Sequence, residues 1–166
     1  MTKKIHKRVS DHLNSISKDL YSIKFHAEYS EPIHSPYDFA RMEKIDVSCI
    51  LKSVLLARKS RVRTALISSD FALVCLPVID RIDMFQISKY MEWKKAEVAR
   101  LSELNEFCGY PLNGVSPLGH SNLSVFFTAK AFDKPTVYIG AGIEACEIKI
   151  LSRTLHDIVK NKSQII

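Results

Sequence analysis

Apolar residues Ile5, Val9, Leu13, Ile16 and Leu20 recur at three- and four-residue steps, which predicts an amphipathic helix with Lys3, Lys4, Lys7 and Arg8 near its start. Its basic end can meet a phosphate backbone or simply face solvent. From Ile23 the pattern shortens to a strand, passes through a loop around Pro32, and reaches a helix start at Ser35. Residues 49–57 are apolar and branched except for Lys52 and Ser53, the mark of a buried strand. A basic turn at 58–63 leads to strand-like runs at 64–67 and 71–77. Asp83 is placed to cap a short helix through Tyr90 or Met91, and 97–107 reads as another helix that stops before Gly109. Further strands are expected at 123–128, 136–139 and 147–151, followed by a helix capped by Ser152 that runs to Val159 and a frayed end.

Strands and helices are interspersed with hairpin-sized connections, so the expected fold is α/β or α+β, with a mixed, strongly curved sheet and surrounding helices. The expected organisation is an N-terminal helix over 1–22, one domain over 23–160, and a frayed tail over 161–166. Hydrophobic residues at 46% and charged residues at 25% are ordinary globular usage, which argues against disorder.

Glycine and proline are distributed unevenly. Three of five glycines and two of six prolines fall in Gly109-Tyr110-Pro111-Leu112-Asn113-Gly114-Val115-Ser116-Pro117-Leu118-Gly119, and the other glycines are Gly140 and Gly142. Such a loop can aim backbone N–H groups at a carbonyl oxygen, carboxylate or phosphate, or it can be a connection whose glycines relieve strain. Lys52 presents a similar choice: an ammonium inside a buried strand must reach water, find an anion or shift its pKa.

These stretches, with Val137-Tyr138-Ile139-Gly140-Ala141-Gly142 and Leu51-Lys52-Ser53-Val54-Leu55-Leu56, resemble the signature of the YbaK/ProX family of aminoacyl-tRNA editing domains, in the family's order from about Ile23 to about Val159. The resemblance implies a trans-acting deacylase that hydrolyses the ester of mischarged tRNA. Lys52 and Gly114 would be its catalytic positions, with Lys52 orienting the substrate and Gly114 and Gly140 shaping a pocket lined with main-chain donors. Ser53, Asn113, Ser116, Pro117, Ala141 and Gly142 would bind substrate beside them. Phe25 and Ser35 match pocket-wall positions of the family, although the residues themselves read equally well as a core aromatic and a helix cap. This chain departs from the family in two places: Ser30-Glu31-Pro32 replaces a His-Pro step, and Asn113-Gly114 replaces Gly-Gly. Asparagine tolerates positive φ, so the loop can survive, but its side chain can narrow the pocket.

Lys plus Arg exceed Asp plus Glu by 24 to 18, a formal charge of +6 that suits a polyanion partner. The expected partners are the acceptor end of aminoacyl-tRNA and an aminoacyl-tRNA synthetase. Four scattered cysteines and six histidines form no metal-ligand spacing, so neither metal nor cofactor is expected. Reduced thiols and the lack of an apolar run after the basic start point to the cytoplasm. A cysteine hydrolase would need Cys108 activated by His120 or His26. A generic small-molecule esterase ranks a distant third, because no GxSxG elbow is present. The alternative from another class is a noncatalytic module of the same fold that holds tRNA or a synthetase.

Overall fold

The computed structural model describes residues 4–166, so Lys3 of the predicted basic start lies outside the described residues. Helix α1 (Lys7–Leu13) is shorter than its periodicity suggested and is followed by a 3₁₀ turn at Lys18–Leu20. Val9 and Leu13 are buried in the main core, which makes α1 part of the packed domain. Strand β1 (Tyr21–Phe25) leads to α2 (Pro36–Glu43), where the Ser35 hydroxyl accepts the Asp38 N–H and Pro36 supplies the preset φ of a first turn. Lys44 closes that helix in the left-handed region at φ 57°.

The centre of the fold is β3 (Phe71–Pro77), buried along its entire length between β2 (Leu51–Arg58) and β5 (Ser124–Phe127). β2 pairs antiparallel to β3 from Leu51↔Pro77 to Ala57↔Phe71, and β5 runs parallel to β3. On the outer edge of β2 lies β4 (Ala96–Val98). β6 (Thr136–Gly140) and β7 (Cys146–Leu151) form an antiparallel sheet with β1, in the order β1-β7-β6. Alternation is clear in β7: Cys146, Ile148 and Ile150 enter the core while Glu147 and Lys149 face the other way. The expected single curved sheet is therefore two sheets, of three and five strands, joined by a parallel bridge between Ile50 and Tyr138. The mixed α/β class is as expected.

Helix α3 (Met84–Tyr90) starts at Asp83, whose carboxylate accepts the Gln86 N–H as its cap. Three other expectations change. Residues 64–67 form no strand, because Arg63 turns inward through a 3₁₀ turn and the Asp70 carboxylate accepts the Ile67 N–H. The helix expected over 97–107 begins as β4, since Glu97 is taken up in pairing with Ala57 and in an ion pair with Arg63; only α4 (Leu101–Glu103) and a π-helical turn at Leu104–Cys108 are helical. Ser152 is the first residue of α5 (Ser152–Val159), not its cap, and its hydroxyl donates to the Lys134 carbonyl. Beyond α5 the chain does not fray. β8 (Gln164–Ile165) adds parallel to β5, and Ile166 exchanges backbone bonds of 2.8 Å with Phe127 and Ala129.

Cys75, Cys108 and Cys146 are buried and Cys49 is partly exposed, and none of the four is in a disulfide. Among the described residues, no helix is long and apolar enough to cross a membrane.

Candidate functional site

A cleft of about 460 Å³ opens where the start of β2 faces the end of β6. Its walls are the N-terminal turn of α2 (His34, Ser35, Pro36, Phe39), the first residues of β2 with Lys52 and Ser53, the loop from Leu112 to Val115, and Gly140. His26, Glu144 and Glu147 complete it.

Lys52 is held at a defined place: its Nζ donates to the carbonyl of Asp80 at 2.6 Å and to that of Val78 at 3.2 Å. The strand lysine thus reaches backbone dipoles across the hairpin, which satisfies two of the three donors of an ammonium. Ser53 sits opposite Cys75 in the ladder, and burial pushes that thiol up to about 12 even with the Ser53 hydroxyl bonded to it. The Ser35 hydroxyl both caps α2 and donates to Asp38 Oδ2 at 3.0 Å, so the helix-cap role is present at a residue that also borders the cleft.

Gly114 and Gly140 are glycines for proximity. A Cβ on Gly114 would lie 2.3 Å from the Ile143 carbonyl oxygen, and one on Gly140 would lie 2.2 Å from that of Val115. Neither has a positive φ. Backbone packed against backbone forms this part of the wall. The Gly114 N–H donates to the Pro111 carbonyl at 3.0 Å, so it closes the local turn and is not spare for a ligand. Asn113 has φ −95°, ψ 19°, which needs no left-handed tolerance; it stands in the wall as a side chain glycine would lack.

Five of the sequence-selected residues lie outside the cleft lining. Phe25 packs against the main core at the end of β1. Ser116 and Pro117 are buried behind the loop, where the Ser116 hydroxyl accepts the Leu118 N–H at 3.2 Å. Ala141 is buried, and its carbonyl accepts the His6 N–H at 3.2 Å. Gly142 has φ +77° and lies against His6, Val9 and Tyr110, so it serves the docking of α1. Gly109 and Gly119, also with positive φ, lie against Arg8, whose guanidinium stacks 4.3 Å from the Tyr110 ring centroid and donates to the Cys108 carbonyl at 2.7 Å. The five glycines therefore have two tasks: the three with positive φ seat α1, and the other two, Gly114 and Gly140, shape the cleft.

Cys108 is buried outside the cleft lining, and that burial pushes its thiol up to about 11, which leaves no thiolate for nucleophilic attack.

The sequence did not reveal the pair of His26 and Glu147. His26 Nε2 lies 3.5 Å from Glu147 Oε1 and is buried without a well-formed hydrogen bond. Burial raises the Glu147 carboxyl above the ordinary carboxylate range, with His26 acting in the opposite direction. Glu147 occupies the non-core face of an alternating strand, a position normally read as solvent-facing; only the register of β1 on β7 brings it beside the residue that follows Phe25. Among the described residues, no group of three or more His, Cys, Asp or Glu side chains is arranged to hold a metal ion.

Comparison with known proteins bears on this arrangement. The model of the aminoacyl-tRNA editing domain family matches residues 30–158. The crystal structure of a candidate trans-editing enzyme for prolyl-tRNA synthetase is similar, with a TM-score of 0.75 at 17% identity over 96% of this chain and 93% of that one. A hypothetical protein solved by crystallography is similar to the same degree, with a TM-score of 0.75 at 17% identity over 96% of this chain and 98% of that one. A chain from work on grafting linear epitopes onto scaffold proteins gives 0.74 at 15% identity over 96% and 94% of the two chains. At these identities the structural likeness establishes a shared fold.

Proposed function

Because the chain belongs to the aminoacyl-tRNA editing domain family, we propose that it is a deacylase acting in trans, hydrolysing the ester between a wrongly attached amino acid and the terminal ribose of tRNA in the cytoplasm. The observation that carries this reading is the cleft itself, which collects Lys52, Ser53, Asn113, Gly114 and Gly140 from three separate segments of the chain. The similarity to a candidate trans-editing enzyme supports action on tRNA released from a synthetase.

The reaction asks little of side chains. Water adds to the ester carbonyl, the tetrahedral oxyanion collapses, and the ribose oxygen leaves with a proton, giving free amino acid and deacylated tRNA. What the protein must supply is orientation and fixed donors for the developing negative charge. Lys52 has one N–H beyond the two that hold the Val78 and Asp80 carbonyls, and in this mechanism it binds the substrate's acyl end. Glu147, with His26 beside it, offers a carboxyl oxygen to the α-ammonium of the amino acid, whose charge favours the ionised carboxylate against the burial that raises its pKa. The backbone contact at Gly114 and Gly140 sets the room for the amino-acid side chain. Such a wall is needed because one methylene changes binding by only about 1–3 kcal/mol.

A second reading, a noncatalytic module that holds tRNA or a synthetase, is favoured by one observation: the Gly114 amide and two donors of Lys52 already have protein partners. The two separate on turnover. Purified protein is mixed with tRNAs carrying alanine, serine, cysteine, proline or threonine, and ester loss is followed beside Lys52→Ala. A deacylase removes one or two of these esters selectively, and Lys52→Ala slows that step by about 100-fold or more. Decay of every ester at the buffer rate, with tRNA still bound, supports the module.

A further inference from the structure

The basic run from Arg58 to Arg63 does not act as one charged tip. Arg58 Nε lies 2.6 Å from Asp70 Oδ1, and Arg63 is turned inward between Glu97 and Glu103. Lys59 and Arg61 remain exposed. The fold then adds two cations that the sequence pattern does not connect with them. The Lys59 N–H donates to the Lys95 carbonyl at 2.8 Å, which sets Lys95 beside Lys59, and Lys94 is exposed next to it. None of the ion pairs found among the described residues includes Lys59, Arg61, Lys94 or Lys95. Glu97, the acidic residue of β4, is occupied by Arg63, and Glu92 is the single carboxylate between residues 84 and 96.

We propose that Lys59, Arg61, Lys94 and Lys95 form a docking surface for the phosphate backbone of the acceptor stem of the tRNA whose charged end enters the cleft. The proposal rests on the editing reading given above. β2 connects the two places: Lys52 lines the cleft near its start and Lys59 follows its end, seven residues on, or about 23 Å at about 3.3 Å per residue. That separation matches an unpaired 3′ tail of a few nucleotides leading from the ester back to the first base pairs. Lysine and arginine bind phosphate oxygens without reading bases, so this surface supplies affinity common to many tRNAs and leaves the choice of amino acid to the cleft. Unpaired, solvated cations suit that task because no carboxylate has to be displaced.

The test uses the full chain with Lys59→Gln, Arg61→Gln, Lys94→Gln and Lys95→Gln combined, all at exposed positions. A control replaces exposed cations elsewhere, Lys4, Lys18, Arg153 and Lys162, with glutamine. Binding of uncharged tRNA is measured against salt, and ester hydrolysis is measured on intact aminoacyl-tRNA and on an aminoacylated CCA trinucleotide too short to reach the patch. The expected results are a tRNA affinity lowered about tenfold or more and a salt slope reduced by about three to four, since each of the four lost phosphate contacts removes close to one unit of slope. KM should rise on intact tRNA with kcat kept, and hydrolysis of the trinucleotide should not change. Unchanged tRNA affinity, an equal loss in the control, or an equal loss on the trinucleotide overturns the proposal. So does loss of binding to phosphatidylserine vesicles with tRNA binding intact, which assigns the patch to a membrane surface. If the unaltered protein hydrolyses no ester but the variant still loses tRNA affinity and slope, the docking surface stands and the deacylase reading fails.

Discussion

At Gly114 and Gly140 the obstacle to any side chain is main chain, which cannot rotate away as a side chain can. Gly114→Ala or Gly140→Ala should therefore cost about 2–3 kcal/mol, the upper part of the usual range for overpacking, as read from urea unfolding, and should also reduce hydrolysis. Asn113 behaves differently. Its φ of −95° is open to every residue, so the family's glycine is not required there for the backbone. Asn113→Gly is expected to cost no more than about 1 kcal/mol, the entropy of a freer chain, while removing a side chain from the cleft wall. The ratio of kcat/KM across the ester panel should then shift towards larger amino acids. An unchanged ratio would mean that Asn113 does not limit the guest.

Among elements, the segment from Arg58 to Asp70 is tied down by ion pairs and not by a strand ladder. Arg63 joins Glu97 of β4 to Glu103 of α4, and both Arg63 and Glu103 are largely shielded from water. Arg63→Met strands a buried carboxylate, and the expected loss is about 3–5 kcal/mol in urea unfolding, part of which returns when Glu103→Gln is added. The same contacts explain what could be read in advance. Local chemistry made α2 and α3 visible through their caps at Ser35 and Asp83, and alternation or apolar runs marked β2, β3, β5, β6 and β7. The 97–107 helix failed because Glu97 takes its conformation from β2 and from an arginine far back in the chain, neither of which leaves a mark on neighbouring residues. In the cleft, Lys52 stood out as a charge inside an apolar strand and Gly114 as part of a glycine-rich loop. His26 and Glu147 carried no such anomaly, because each is ordinary in its own segment and only strand register brings them together. Ser116, Pro117, Ala141 and Gly142 sit next to cleft residues in sequence yet point into packing, a distinction that spacing alone does not make.

For the molecule as a whole, acid should act first through the docking of α1. His6 Nδ1 accepts the Arg8 N–H and His12 Nδ1 accepts the Gly119 N–H, so both rings serve as neutral acceptors, and His120 is enclosed beside Tyr110. Burial is the leading reason that all three pKa values lie below 6.5, with Arg8 adding to the effect at His6 and His120 and Lys162 at His12. The unfolded chain then binds more protons than the folded one below that value, so this stability is complete above about pH 6.5 and is lost as pH falls through the lowered values. Glu147, with its raised carboxyl, acts in the opposite sense and offsets part of the loss. Thermal unfolding should show Tm falling from pH 7 to pH 5, and His12→Asn, which keeps an acceptor but does not titrate, should flatten the slope. A Tm that is level over this range would remove the histidines from the pH response. The burial of Cys75, Cys108 and Cys146, with Cys49 alone partly open, turns unfolding into something that can be weighed. A short pulse of alkylating reagent should add at most one label to each intact molecule and four to each opened one, so a mass spectrum of a cell extract would rank the variants above by their intact fraction before any of them is purified.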